Sequence, residues 1–507
     1  MSVLSKTRIW LYTVTASVVT TLLLAAIFVA ATWNTLIIDR WKRKHKLRQR
    51  GALAAPEVAV ADKNIIHVTV RRSVSAASES PFLGLDGKHQ ESDEGPGSAD
   101  SGAAPGSGGN PFRDAMAAED MQLVPDLAYY YRQYGIEIEE HEVTTDDGFV
   151  LFLWHFVGKG AATQRPPMLL LHGLLQSCGS FASSGRKSLA YYLHESGYDV
   201  WLGNNRCGLN AKTVPSQVDE HEKWGWDMKE MVKYDLKAMV EYVLQKTARE
   251  KLTLVAHSQG TTQGFMGLLH GETLYAGTSF RLADKLDNFV ALAPAVYPGP
   301  LLYENVFMRF MASTIDVPWV YGVRSFLPIM MQVRALVVGN RLFSVVCYLF
   351  FSYLFDWNDL LWDKPLRDRH FMFSPVHISV NLMKWWLSKD PSRRSFRNYS
   401  HCIFPEEGAW FPLVDGNSDA HTLLDGQVRR NAPTEYPRIL LFVPKQDRLV
   451  DGKRLIDHFI NHEDERIYKI WYFDDYSHLD VLWASDVSDR IGKSMLEELR
   501  APQGSSS

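Results

Sequence analysis

The chain has 507 residues, of which 46% are apolar and 22% charged, with a formal net charge of −4. That composition suits one large folded domain with appendages, and it excludes the strongly basic balance that nucleic-acid partners require. Cys178, Cys207, Cys347 and Cys402 stand far apart with no paired ligand spacing, so neither a disulfide framework nor a zinc site is expected. Free thiols fit a cytosol-facing domain; the glycosylation-type triplet Asn398-Tyr399-Ser400 points weakly the other way.

The first element is an apolar helix. Ile9 to Ile38 contains no charged residue, which exceeds the ~20 residues needed to cross a bilayer. The best span is Ile9–Ala31, with Trp10, Tyr12 and Trp33 as interfacial anchors. Its length and the lack of a small-residue cleavage site favour a retained anchor over a removed signal peptide. Arg40, Lys42, Arg43, Lys44, Lys46, Arg48 and Arg50 follow it, against Lys6 and Arg8 before it, so the charge rule puts the bulk of the chain in the cytosol. This predicts a single-pass protein of the endoplasmic reticulum, lipid droplet or plasma membrane. The basic cluster is also compatible with anionic headgroups.

Residues 51–119 are expected to be a disordered tether between the anchor (1–50) and the folded domain (120–499), because Gly, Ser, Ala, Pro and acids dominate 91–111. The last residues, 500–507, are expected to be a disordered tail. From Leu123 onward the pattern changes. Gly135–Thr145 and Phe149–Phe156 alternate in period two around Asp146-Asp147-Gly148, which predicts a hairpin. Short apolar runs follow at Met168–Leu171, Tyr198–Leu202, Leu252–Ala256, Phe289–Ala293, Ile439–Val443 and Tyr468–Phe473, as strands covered on both faces would show. Met228, Met231, Leu236, Met239, Val240, Val243 and Leu244 fall on a helical period. A hairpin followed by a β/α series predicts an α/β-hydrolase-like core with a mostly parallel sheet. Residues 297–430 break the rhythm and form a large helical cap. Within it, 342–355 is too short to span a membrane. It reads either as a buried cap helix or as part of a cap that lines an apolar pocket and rests its rim on lipid.

Four separated pieces fit one chemistry. Ser258 follows a buried β run in KLTLVAHSQG and precedes a helix, the local shape of a nucleophile elbow. The loop after Met168–Leu171 begins His172-Gly173; Leu174 there and Gln259 after the serine are the expected backbone oxyanion donors. Asp447 follows a late strand and is preferred over Asp451 as the acid that orients a histidine. His478 comes after the last apolar strand, completing the chain order Ser, Asp, His. His257 and Asp480 are neighbours with structural or tuning roles. No metal or organic cofactor is implied.

The blocks HGLLQS, YDVWLGNNR, AHSQGTTQGF, ALAPAVYPGP, LFVPKQDRLVDG and YSHLDVLWA resemble the acid lipase family of α/β hydrolases. With RDRHFMFSPVH and LFDWNDLLWD in the cap and one N-terminal anchor, the wider pattern is similar to the membrane-anchored fungal steryl ester hydrolases. Ala256 replaces the first elbow glycine, and Cys207 is inserted after Arg206. The resemblance implies hydrolysis of steryl esters, with Ser258, Asp447 and His478 as triad and Leu174 and Gln259 as oxyanion donors. The implied partners are a steryl ester substrate and a membrane or lipid-droplet surface. Other readings stay open: a triacylglycerol or other neutral-lipid lipase, an acyltransferase, and a non-catalytic lipid-surface protein.

Overall fold

The computed structural model describes residues 3–35, 65–68, 119–158, 165–208, 212–219, 222–412 and 436–500. Its strands are β1 (Ile65–Val68), β2 (Glu137–Thr144), β3 (Phe149–Val157), β4 (Pro167–Leu171), β5 (Asp199–Gly203), β6 (Lys212–Thr213), β7 (Leu252–His257), β8 (Leu286–Leu292), β9 (Arg438–Pro444) and β10 (Tyr468–Phe473). They form one sheet in the order β1-β10-β9-β8-β7-β4-β5-β3-β2, with β6 paired to β3. β2 and β3 are antiparallel, as is β3 with β5, and the path from β5 to β1 is parallel. This is the α/β-hydrolase sheet that the apolar runs predict.

Side-chain alternation explains why those runs are continuous. Leu169, Leu171, Leu254, Phe289 and Leu441 enter one apolar cluster, while Met168, Leu170, Val255, Val290 and Phe442 enter another. Successive residues point to opposite faces of a strand, so burial of both faces leaves little room for polar side chains; Asp199 in β5 is accommodated by His155 and Trp201. The predicted amphipathic helix runs from Met228 to Thr247, with a π-helical segment at Met231–Leu236. There the buried Asp235 receives the Arg206 side chain, Nε to Oδ1 at 2.9 Å.

Three findings depart from the sequence expectations. Ile65–Val68, inside the presumed tether, pairs in parallel with β10; four consecutive apolar and aromatic residues make a local strand former that averaging over 51–119 conceals. Residues 36–64, which include the basic cluster, and 501–507 lie outside the described residues, as does 69–118. Asn398 sits in a helix, Phe396–Ile403, and its side-chain amide donates to the Ser388 carbonyl at 2.8 Å, so the triplet is engaged in packing. The apolar run 342–355 is a helix, but among its residues only Phe343, Ser344 and Cys347 are buried; it is not a buried core helix.

The helices that matter for the site are α1 (Val3–Trp33), α2 (Lys237–Thr247), α3 (Gln259–Leu269), then in the cap α4 (Val306–Thr314), α5 (Pro318–Tyr321), α6 (Pro328–Val337), α7 (Arg341–Phe355) and α8 (Val380–Leu387), and finally α9 (Gly452–His462). α1 starts before the expected span and packs along α5, α6 and α7.

Leu441 is fully buried in β9, whereas Leu360 is 59% exposed. Leu441→Ala is therefore expected to cost about 2–5 kcal/mol, read from the denaturant midpoint. Leu360→Ala should move it by no more than about 0.5 kcal/mol.

Candidate active site

β7 delivers Ser258 and α3 carries the chain away. Ser258 has φ +49° and ψ −115°, a conformation that costs a residue with a Cβ roughly 1–3 kcal/mol and lifts the side chain off the strand. The turn is tight because α3 passes very close to β4. A Cβ at Gly260 would lie 2.6 Å from the Leu171 carbonyl oxygen, so only glycine fits. The Ser258 N–H donates to the Leu292 carbonyl at 3.0 Å, and the Thr261 hydroxyl returns to the Ser258 carbonyl at 2.6 Å. Ala256, in place of the first elbow glycine, is fully buried without distorting β7.

His478 arrives from the loop after β10. Its Nε2 lies 2.9 Å from Ser258 Oγ and its Nδ1 lies 2.6 Å from Asp447 Oδ2. The imidazole side chain is 3% exposed and the carboxylate 1%. Asp447 is itself fixed by its loop, accepting from the N–H groups of Leu449 at 2.9 Å and Val450 at 3.3 Å. The competitor Asp451 is occupied elsewhere: it caps α9, accepting from the Arg454 N–H at 3.1 Å. Arg448 leaves Asp447 alone and reaches the cap instead, contacting Glu304 and, at 2.6 Å, Asp356.

The loop after β4 lies against the serine. A Cβ at Gly173 would meet Ser258 Cβ at 3.1 Å and His257 Nδ1 at 2.9 Å. Leu174 lines the same small cavity as Ser258, and Gln259 is the first residue of α3. His172 holds the turn rather than joining the chemistry. Its Nδ1 contacts the Gly173 carbonyl at 2.8 Å and its Nε2 accepts from the Asn205 N–H at 3.2 Å. Burial pushes its pKa down to about 4, so one neutral tautomer satisfies both contacts. His257 touches Gln176 Oε1 at 2.9 Å and the His478 carbonyl at 3.3 Å. Burial, with the neighbouring His478, keeps it well below the usual histidine range.

A buried serine, imidazole and carboxylate in hydrogen-bonded series on this sheet describe an acyl-transfer site. Residues 127–185 match the family model of a partial α/β-hydrolase lipase region, and residues 166–312 match that of the α/β hydrolase fold. Sterol esterase 2 of Saccharomyces cerevisiae is 60% identical over 79% of this chain and 76% of its own. Rat gastric triacylglycerol lipase is 27% identical over 72% of this chain and 88% of its own, and human lipase member K is 28% identical over 76% and 92%. The chain belongs to the acid lipase family of α/β hydrolases. It is a carboxylic ester hydrolase of the sterol esterase and lipase class.

In this acid lipase the cap closes directly over the serine. Phe351 and Phe355 of α7, with Trp357, line a cavity of only ≈ 30 Å³ that also includes Ser258, His478 and Leu174. Trp357 lies parallel to the His478 ring, with centroids 5.7 Å apart. A ligand site normally offers about 300 Å³ or more, so a lipid ester fits only after these aromatics move. Motif reading did not single out these three, because cap positions carry no fixed spacing to the triad. The abundance of large rings in 342–357 was their only signal.

Asp480 anchors the turn that carries His478. Its Oδ2 accepts from Ser477 N–H at 2.6 Å and Ser477 Oγ at 2.7 Å, and its Oδ1 accepts from Trp362 Nε1 at 2.8 Å. Burial pushes its carboxyl up to about 6 against the opposing pull of those donors. With a raised folded pKa, the native state holds a proton that the unfolded chain has already released between about pH 4 and about pH 6. Its stabilising contribution is complete below the unfolded value and is lost as pH rises through about 6. The melting temperature of the wild type relative to Asp480→Asn should therefore fall between about pH 4 and about pH 7. A constant difference across that window would contradict it.

Proposed function

We propose that this acid lipase hydrolyses steryl esters to free sterol and fatty acid through an acyl-enzyme on Ser258, at a membrane or lipid-droplet surface. In this reading residues 1–50 anchor it, 120–499 are catalytic with the cap at 297–430, and the catalytic domain faces the cytosol. The 2.9 Å and 2.6 Å contacts of His478 with Ser258 and Asp447 support the chemistry. His478 Nε2 takes the Ser258 proton as Oγ attacks the ester carbonyl. The oxyanion is held by the N–H groups of Leu174 and Gln259, and Asp447 stabilises the imidazolium. Collapse breaks the carbon–oxygen bond to the sterol, which leaves with the proton from His478. Water, deprotonated by the same imidazole, then releases the fatty acid and restores Ser258.

Ser258→Ala and His478→Ala should each lower turnover by roughly four to six orders of magnitude while the domain stays folded, because the three groups act as a unit. Retention of a tenth of the wild-type rate by either variant would reject the assignment. A fluorophosphonate probe should label the wild type and not Ser258→Ala, which separates an enzyme from a lipid-surface protein with a spent site.

The sterol preference draws on the 60% identity to a protein named for that activity. The physical features support a water-insoluble ester more generally, since the cap over Ser258 is aromatic and a long apolar helix adjoins it. Rates on cholesteryl oleate and triolein, measured side by side in the same emulsion, decide between the two. A large excess of triolein hydrolysis would overturn the steryl ester reading in favour of a triacylglycerol lipase.

A further inference from the structure

A membrane anchor on a tether has no need to touch the domain it carries. α1 does touch it. Ala16, Thr20, Ile27 and Ala31 recur on one face of the helix and are all buried, and α1 packs along α5, α6 and α7. Ala16 lies beside Gly322, just after α5, and Phe28 stacks on Phe350 of α7 with ring centroids 6.3 Å apart. Three of the four buried positions are small, which allows helices to approach closely where lipid rather than water surrounds them. The rest of α1 is also apolar, with Leu11, Val18, Leu22 and Val29 exposed.

Between Ala16 and Trp33 the helix rises about 25 Å, against a hydrocarbon core of about 30 Å. If α1 crosses a bilayer, whatever packs along that stretch lies at hydrocarbon depth. The outer surface of the cap is suited to that position. Leu336 on α6 is 85% exposed, Leu342 on α7 is 68% and Trp319 on α5 is 55%. α6 and α7 carry only Arg334 and Arg341 as charged residues. Arg334 is buried, and Arg341 sits at the first residue of α7 within 3.7 Å of Asp368.

α7 also has two working sides. Phe351 and Phe355 close the cavity over Ser258. Tyr353 joins Ala25, Val29 and Trp33 of α1 in lining an open apolar cleft of ≈ 640 Å³. One helix thus separates the outer cleft from the reactive serine.

We propose that α1 and cap helices α5–α7 form one lipid-embedded unit, and that the ester reaches Ser258 directly out of hydrocarbon along the α1–α7 cleft. This rests on α1 being a retained anchor. The partner is a lipid phase, and the substrate never crosses water to reach the serine.

The test uses the full chain in phosphatidylcholine vesicles carrying cholesteryl oleate. Alkaline carbonate should leave the protein with the membrane; its release would remove the anchor, and the proposal with it. The exposed native thiol is Cys402, so in a Cys402→Ser background the single variants Leu336→Cys, Leu342→Cys and Lys453→Cys each receive an environment-sensitive fluorophore. Lys453, on α9, has a side chain 72% exposed and serves as the aqueous control. Labels at 336 and 342 should be quenched by nitroxides on the lipid acyl chains and protected from iodide, with the reverse at 453. Retention in carbonate with labels at 336 and 342 quenched by iodide as readily as at 453 would overturn the embedded cap and leave the anchor standing. The double variant Leu336→Asp/Leu342→Asp should lower hydrolysis of the vesicle-borne ester by roughly tenfold or more, because carboxylates resist hydrocarbon, with turnover of soluble p-nitrophenyl butyrate unchanged. An undiminished vesicle rate would also overturn the proposal. If that variant loses both activities, the labels decide.

Discussion

The structure depends on one close approach, where α3 leaves β7 almost touching the end of β4. A gap of 2.6 Å between a would-be Cβ at Gly260 and the Leu171 carbonyl forces the chain to turn within one residue, and Ser258 takes the positive φ that results. Such a turn is unfavourable in isolation. It persists because everything around it is fixed: β7 is buried along its whole length, and β8 supplies an acceptor for the Ser258 N–H. The same contact brings the loop after β4 beside the serine, so the candidate nucleophile and the candidate oxyanion donors are set by a single packing event.

Several polar groups near that turn are buried and held by partners that keep their orientation. Arg206 is held between Asp235, at 2.8 Å, and Asp147, at 2.8 Å, with its side chain fully enclosed. A buried charge pair of this kind adds little net stability but fixes geometry when all its donors are used. Here it ties the β2–β3 turn to the loop after β5, which also bears Asn205 against His172. Cys207 is buried beside it and is followed at Gly208 by a bridge to His377 of the cap. Its thiol serves as a small apolar filler at the seam between core and cap.

The sheet was legible because its physics is local. A strand buried on both faces is mostly apolar, and each of the six runs read from the sequence is a strand. Ser258, Asp447 and His478 were legible through their positions after strands, and the structure brings these three side chains together. The sequence favours Asp447 over Asp451 because it stands nearer the end of the strand, and a carboxylate in a loop can equally serve as a helix N-cap. The start of α9 supplies the second distinction, since Asp451 caps it. β1 was concealed by its low-complexity neighbours, and the structural or tuning role expected of Asp480 takes its form only where the donors of Ser477 and Trp362 converge on it. Those partners lie 118 residues apart in the case of Trp362, a distance that no local pattern encodes.

The cap poses a different problem. Apolar composition records exclusion from water and is silent about what does the excluding. The run of α7 reads equally as a core helix or as a helix among lipids, since Leu and Phe satisfy both. What separates the two is the second partner. A core helix would be enclosed by the hydrolase domain, but α7 has one side on the catalytic cavity and the other against α1, with its neighbours on α6 left bare. Small residues on α1 meet the cap, while Leu11, Val18, Leu22 and Val29 on its other side are exposed. An apolar medium beyond the protein would accommodate both patterns on one helix, which is the arrangement proposed for the cap and α1.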